Sequence, residues 1–466
     1  MDAKWPDISL RERPLDSSCG PFDISVEGQK LRLVLDVKIA PDAEGKYTYL
    51  RELLQLDRYE VLTELQPDET PDGSRFRIHL PELPEGETDL SKDYAAVFIE
   101  VPGERRSIYS IFAARNNMQA ARNGASSLGV DVEGAAQDNL FASAAAAIDA
   151  DILITNRESL LAPASRHEAN PVSIDEALAI IGLHMRSAGG MTLKLPPRGL
   201  RLDLGWAELV QSWALLPAVL DAVSHAPTGA PWVKLLRETV YRLGKMLRAR
   251  DQVLLAALTL KGDRRTDVEG EVEAMALSAM GAFDIIARAV NMAIPLDLKP
   301  QDCGFRRKAF RDKVRVMVPA LGSVVDSLAV SSTIGLVADL RNTVHAEPMR
   351  PVGYSGSGAY RTEEWVMVPS DIADSVRESS QKLGKAGFWL KDFGPRASDL
   401  ESGEVLVHPQ RLANDLVGLV AAAANALVGS IQWPRDPNSQ GWSVYHADDP
   451  MAPENSRRIQ WLYGYS

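Results

Sequence analysis

Cysteine is nearly absent from this chain. Cys19 and Cys303 are its only two, which excludes a disulfide framework and a cysteine-rich zinc centre. Histidine is also scarce. His79, His167, His184, His225, His408 and His446 stand apart, with no HExxH-type spacing among them. No apolar run approaches the length of a bilayer span, and the opening MDAKWPDISLRERPLD lacks the apolar centre of a signal peptide. The glycine-rich GYSGSG has no following Lys-Ser/Thr and is not a phosphate loop. An excess of positive charge is missing too. The net charge is -12, which argues against broad electrostatic binding to nucleic acid and leaves only local basic grooves. The expectation is a cytoplasmic protein that makes no membrane contact.

With 466 residues, the chain is too long for one ordinary core. QKLRLVLDVKI and YAAVFIEV have the apolar density of buried strands, and RFRIHL suggests a short strand between them. Helical patterns follow Tyr47, run through SIFAARNNMQAARNGASSLG, and recur in the alanine-rich QDNLFASAAAAIDA before the strand ILIT. Alternating strands and helices predict an α/β N-terminal domain with a mainly parallel sheet. A capping box at Ser173 and Glu176 opens a different regime, helix after helix to about Val344, broken at PPRG, HAPTGAP, KGDRR and AIPLDLKPQDCG. The fold class expected is therefore α/β followed by an all-α helical bundle. PMRPVGYSGSGAYRTEE reads as an exposed loop, RLANDLVGLVAAAANALVGSI as one strong late helix, and the residues after it as an irregular aromatic tail. The expected domains are an extension over 1–25, an α/β domain over 26–170, connecting helices over 171–225, a helical domain over 226–350 and a C-terminal extension over 351–466. Three basic runs, Glu104 to Arg122, Lys234 to Arg250 and Phe305 to Arg315, read as solvated helix faces.

Two groups of residues carry chemistry. A helix opening near Asp138 rises ~17 Å by Asp149, and the strand Ile152 to Thr155 runs back roughly 13 Å. Asn156 thus returns to the level of Asp138, at the carboxyl end of its strand. Asp36 stands near the carboxyl end of its own strand, in LVLDV, on the edge where ligands gather in parallel sheets. Oxygen ligands there suit Mg²⁺ or Mn²⁺, ions that activate water for phosphodiester cleavage. Glu60, Glu64 and Asp68 all remain open as a further acid; Asp149 and Asp151 read as turn residues. The second group is LRNTVHAE. Arg341 and His345 are four positions apart, so a helix would put them on one face beside Asn342. Such a pair could hold a phosphate and move a proton without metal.

The residues from Gln29 to Ala162, most specifically Gly129 to Leu161, resemble a PIN-domain nuclease. Asp36, Asp138 and Asn156 match three of that family's four metal-site positions. The match departs from the pattern at Asp36-Val37-Lys38, which lacks a small hydroxyl or amide after the acid, and at Asn156, which is an amide. The helical stretch of about 205–350, ending in R-N-T-V-H, resembles the HEPN superfamily, whose gap between Arg and His is usually longer. That resemblance implies catalytic roles for Arg341, Asn342 and His345 and a homodimer formed through the helical domain. Together the two imply a ribonuclease-like protein of a bacterial-type stress, toxin or antiviral defence system. It would cleave RNA at a Mg²⁺ or Mn²⁺ site, a metal-free Arg/His site, or both. The alternative is a catalytically degenerate protein that binds RNA or dimerises as a regulator.

Overall fold

The structure, a computed structural model, describes residues 30–39, 44–64, 75–79, 97–101, 104–109, 131–148, 150–161, 170–187, 190–194, 199–258, 267–344, 348–355, 362–385, 405–439 and 452–465. The chain divides into two compact units between His184 and Met185.

The first unit is an α/β layer. In chain order it runs β1 (Leu31–Leu35), α1 (Lys46–Leu53), β2 (Tyr59–Glu64), β3 (Arg75–His79), β4 (Val97–Val101), β5 (Glu104–Tyr109), α2 (Val132–Ala147), β6 (Ile152–Ile154), α3 (Glu158–Leu161), β7 (Pro171–Val172) and α4 (Ile174–Ser187). The strands form one sheet in the order β5-β4-β3-β2-β1-β6-β7. Five of them, from β3 to β7, are mutually parallel; β4 and β5 continue the sheet antiparallel. β1 is near-continuously apolar because it is covered on both faces, as a central parallel strand must be. From β1 the chain pairs outward to β2 on one side and later returns to β6 on the other. The junction of β1 with β6 is therefore a switch in strand order, where parallel sheets open a crevice. Ala142, Ala144, Ala145 and Ala146 of α2 pack with Phe76, Phe141, Val34 and Leu153 into a buried cluster. Small side chains bring the helix close to the sheet, so the polar residues it carries lie near the strand ends.

Several local expectations change. The helix opens at Asp131, whose carboxylate accepts from Gly134 N at 3.0 Å, so Asp138 lies two turns inside it rather than at its start. Asp131 is a better N-cap than Asp138 because it precedes the apolar run. Glu104 to Tyr109, read as the beginning of a helix face, is instead a strand paired with β4; the helix expected after it lies outside the described residues. Ser173 and Glu176 do form the reciprocal capping box, with Ser173 N donating to Glu176 at 2.8 Å.

The second unit is mostly helical. After the hairpin β8 (Gly190–Lys194) and β9 (Gly199–Asp203) come α5 (Leu204–Leu215), α6 (Pro217–Ser224), α7 (Pro231–Leu258), α8 (Val268–Ala293), α9 (Lys308–Met317), α10 (Pro319–Asp326) and α11 (Leu328–Asn342). A three-stranded antiparallel sheet follows, from β10 (Arg350–Ser355), β11 (Thr362–Val368) and β12 (Val405–Val407), with α12 (Ser370–Lys382) inserted before β12. Then come α13 (Pro409–Gly429) and α14 (Pro453–Leu462). The PPRG hairpin interrupts a stretch read as all helix. The segment read as a Gly/Ser loop is a β-hairpin, and part of the aromatic tail is a helix. In each case sheet pairing or docking on the bundle, which a local pattern does not encode, decided the outcome.

The core of this unit is the long pair α7 and α8, with α11 and α13 packed on it. Val272, Met275, Ala279, Phe283, Ile286 and Val290 of α8 are all fully buried at three- and four-residue steps. The two helices Val268–Ala293 and Pro409–Gly429 are long and apolar enough to cross a membrane, which revises the reading that no run approaches that length; just over half of each apolar window is buried inside the unit.

The matching stripe on α7, Leu236, Val240, Leu243 and Leu247, continues into Arg250. This arginine sits at a core position and is fully buried, so it is not part of a solvated face. It donates to Asp251 at 2.9 Å, to the Tyr463 carbonyl at 3.1 Å and to the Tyr465 hydroxyl at 3.0 Å. Arg186 completes the junction, donating to Asp251 and to the Leu462 carbonyl while its guanidinium lies 3.8 Å from the centre of the Tyr463 ring. Burial pushes the Asp251 carboxyl up, but Arg186 and Arg250 outweigh it and hold the group below its ordinary range. Asp251→Asn leaves two buried guanidiniums without an anion. We expect a loss of roughly 3–5 kcal/mol of stability, read by urea denaturation of the helical unit through the Trp232–Trp433 pair, whose rings are 4.8 Å apart. A loss near zero would show that the junction carries little of the fold.

Candidate functional site

The carboxyl edge of the parallel sheet brings the N-terminal polar residues together. Leu35 pairs in register with Thr63 and Ile154, and Asp36 N donates to the Ile154 carbonyl at 3.0 Å. Asp36 is thereby fixed between the end of β2, where Glu64 stands, and the end of β6, where Thr155 stands. It is almost fully buried. Both of its carboxylate oxygens are engaged: Oδ1 accepts from Lys38 N at 3.0 Å, and Oδ2 from the Thr155 hydroxyl at 2.8 Å.

Arg157 dominates the site. Its Nε donates to Asp36 Oδ2 at 2.7 Å and its Nη2 to Asp36 Oδ1 at 3.2 Å, a two-point grip. Its Nη1 reaches Asp138 Oδ1 at 2.8 Å, and Ser159 donates to the other Asp138 oxygen. The guanidinium also lies 4.3 Å from the centre of the Phe141 ring, one turn beyond Asp138 on α2. Asp36 and Asp138 do come to one place, joined by this arginine. Asn156 does not join them: it is exposed. Residues along an extended strand alternate in direction, so Thr155 and Arg157 face Asp36 while Asn156 faces away. The sequence did carry that signal, in the two-residue step from a buried Thr to an Arg.

Electrostatics follow the geometry. Burial pushes the Asp36 carboxyl up, but hydrogen bonds from Arg157, Lys38 N and Thr155 and the Arg157 charge bring it below its ordinary value. Burial likewise pushes Glu64 up, with Arg157 pulling it down and Asp36 adding repulsion. Of the three candidate further acids, Glu64 is thus the one that shares this edge. Glu60 pairs with Arg32 at 2.9 Å, and Asp68 lies outside the described residues. Asp151 accepts from Arg32 N at 2.8 Å and ties β6 to β1, a structural role; Asp149 lies outside the described residues.

A divalent cation requires free carboxylate oxygens converging at about 2.0–2.6 Å. Here the oxygens of Asp36 and Asp138 are taken by Arg157, Thr155, Lys38 N and Ser159. Among the described residues no three His, Cys, Asp or Glu side chains are grouped to hold a metal ion. As arranged, the donor set does not fit Mg²⁺ or Mn²⁺.

In the second unit, Arg341 and Asn342 are the last two residues of α11, and both are exposed. The helix stops there. Thr343, in the turn that follows, is buried, and its hydroxyl donates to the Leu340 carbonyl at 2.7 Å and toward Glu273 at 3.3 Å. The helical spacing that would align Arg341 with His345 therefore ends one residue after Arg341; His345 itself lies outside the described residues.

The Arg157 junction has a definite pH signature. Asp36 has its carboxyl lowered from 3.8 by folding, so its contribution to stability is full above that value and is lost as pH falls through the lower folded value. Arg157→Met removes the cation and leaves a buried carboxylate. It should cost roughly 3 kcal/mol at pH 7 and reverse the trend, with stability rising as pH falls from 7 to 5. Adding Asp36→Asn should restore much of the loss. Thermal midpoints of the wild type and these two variants across pH 4–8 measure this, and a pH-independent Arg157→Met variant would contradict it.

No known family model, curated protein or solved structure matches this chain.

Proposed function

We propose that this chain is a nuclease-derived, RNA-binding regulatory protein, with a PIN-like N-terminal unit whose site is held by an internal cation instead of a metal. The observation that carries this reading is the Arg157 grip on Asp36 and Asp138. An arginine supplies positive charge and hydrogen bonds, but it does not lower the pKa of a bound water as a divalent ion does. What remains is a partly neutralised polar cluster at the switch point of the sheet, the edge where parallel sheets take ligands. RNA is the ligand proposed, acting in the cytoplasm within a stress or defence system.

The test uses the full chain and end-labelled single-stranded RNA with Mn²⁺, Mg²⁺ or EDTA. Retained but intact RNA is expected under all three conditions. Mn²⁺-dependent cleavage abolished by Asp36→Asn or Asp138→Asn would overturn the proposal and restore a metal-dependent ribonuclease.

A second reading, a metal-free HEPN-like ribonuclease, draws on one observation: Arg341 and Asn342 are exposed side by side at the end of α11. Cleavage that survives EDTA and is lost in His345→Ala would favour it. A homodimer through the helical unit belongs to both readings and is supported by the exposed Val316 and Met317 on α9 and Leu328 on α11. Sedimentation should give a dimer mass, reduced to monomer by Met317→Glu with Leu328→Glu; a wild-type monomer would remove the dimer from both.

A further inference from the structure

The helical unit holds a second concentration of arginine, built by four separate segments. On α8, Gly281, Asp284 and Arg288 recur at three- and four-residue steps and share one face. α7 packs along that helix and contributes Arg242. The Arg242 guanidinium lies against Gly281, where an added Cβ would come within 2.8 Å of Arg242 Cζ. A glycine at this position is what lets the charge lie across the helix. On the other side, Gly304 stands beside both Asp284 and Arg307: a Cβ there would lie 3.5 Å from Asp284 Oδ1 and 3.4 Å from Arg307 Cγ, in ordinary contact with each. Arg341 enters from the end of α11, which also packs on α8.

The charges in this cluster are not balanced. Burial pushes the Asp284 carboxyl up; Arg288, Arg341, Arg307 and Arg242 all act against it without outweighing burial, so all four charges lie within electrostatic reach of one half-buried acid. Yet among the described residues Asp284 makes no ion pair within 4.0 Å. Arg242 has its own partner, Glu238 at 3.6 Å. Arg288, Arg307 and Arg341 are exposed and have no carboxylate at ion-pair distance among the described residues. Other arginines of this unit are matched: Arg311 and Arg315 both hold Asp326, and Arg248 holds Glu208 with two hydrogen bonds. Even in a chain of net charge -12, a cluster of like charges with so few acids near it costs folding energy through mutual repulsion. A planar guanidinium fork is complementary to a phosphate oxyanion.

We infer that Arg288, Arg307 and Arg341, backed by Arg242 and Asp284, form a phosphate-binding site on the helical unit. The phosphate is that of an RNA backbone or of a free nucleotide. The RNA form of this inference rests on the RNA-binding reading above; the site itself does not. Arg341 here binds, in concert with arginines from three other segments, and needs no histidine to do so. Gly281 is part of the site because a side chain there would displace the Arg242 guanidinium.

The experiment follows fluorescence anisotropy of a fluorescein-labelled single-stranded RNA on the full chain over a salt series. In parallel, ATP and inorganic phosphate compete for the site. The Arg288→Ala, Arg307→Ala double variant changes exposed residues only, and an unchanged thermal midpoint verifies its fold. It should weaken RNA binding at least tenfold and flatten the slope of log affinity against log salt by about 1.4, near 0.7 for each lost phosphate contact. The Lys, Lys counterpart should recover the slope but not the full affinity, because it keeps the charge and loses the fork. Wild-type affinity and slope in the Ala, Ala protein would overturn the site while leaving RNA binding intact. If RNA fails to bind but ATP binding depends on the two arginines, the source is a free nucleotide, and only the RNA-binding reading fails. If no phosphate ligand responds to them, the site is overturned.

Discussion

A charge taken out of water has to be met by an opposite charge, and that requirement organises both units of this protein. Asp36 in the sheet unit and Asp251 in the helical unit are buried, and each is answered by arginine. Leaving such a group unpaired costs several kcal/mol, more than burying one leucine gains. Segments that supply the partner are therefore held as firmly as the apolar core holds them. In the sheet unit the tie joins the ends of β1 and β6 to the middle of α2. In the helical unit it joins Arg186, just past the boundary between the units, and α7 to the end of α14 and the residues after it.

Arginine plays opposite parts in the two units. Arg157 has its donors committed to Asp36 and Asp138 and its flat face resting on Phe141, so its capacity is spent inside the fold. Arg288, Arg307 and Arg341 keep theirs at the surface. The contrast separates a cation consumed by the fold from cations left at its surface. It also shows why net charge is a poor guide to local potential. An acidic protein can concentrate positive potential in one place when several helices each lend it a side chain.

Much of this fold was legible in the sequence. The apolar density of LRLVL and ILI identified the central parallel strands, the Ser173–Glu176 box marked a helix start, and Asp36 was placed by its position at the carboxyl edge of the sheet. Element lengths misled in starting the helix at Asp138 and pairing that residue with Asn156. What escaped was set by partners remote in sequence. The hairpins at 190–203 and 350–368 depend on pairing, which a Gly- or Pro-rich composition does not reveal. Asn156 was selected from element lengths and its match to a family position, although the two-step period of a strand favours the residue two positions after Thr155. Arg250 falls on the three-four apolar stripe of α7 and was readable as buried, but its partners lie in the tail. Asp284 and the arginines around it come from four segments and have no local motif at all.

The junction around Asp251 also imposes an order of events. Arg250 finds its acceptors at Tyr463 and Tyr465, 213 and 215 residues further along the chain. As the polypeptide leaves the ribosome, α7 and α8 can pair early, yet a guanidinium on their core stripe lacks most of its acceptors until residue 465 has emerged. The helical unit thus gains its full set of buried hydrogen bonds only when these aromatic residues dock; without them, α7 and α8 would hold Arg250 with Asp251 as its one acceptor group of the set.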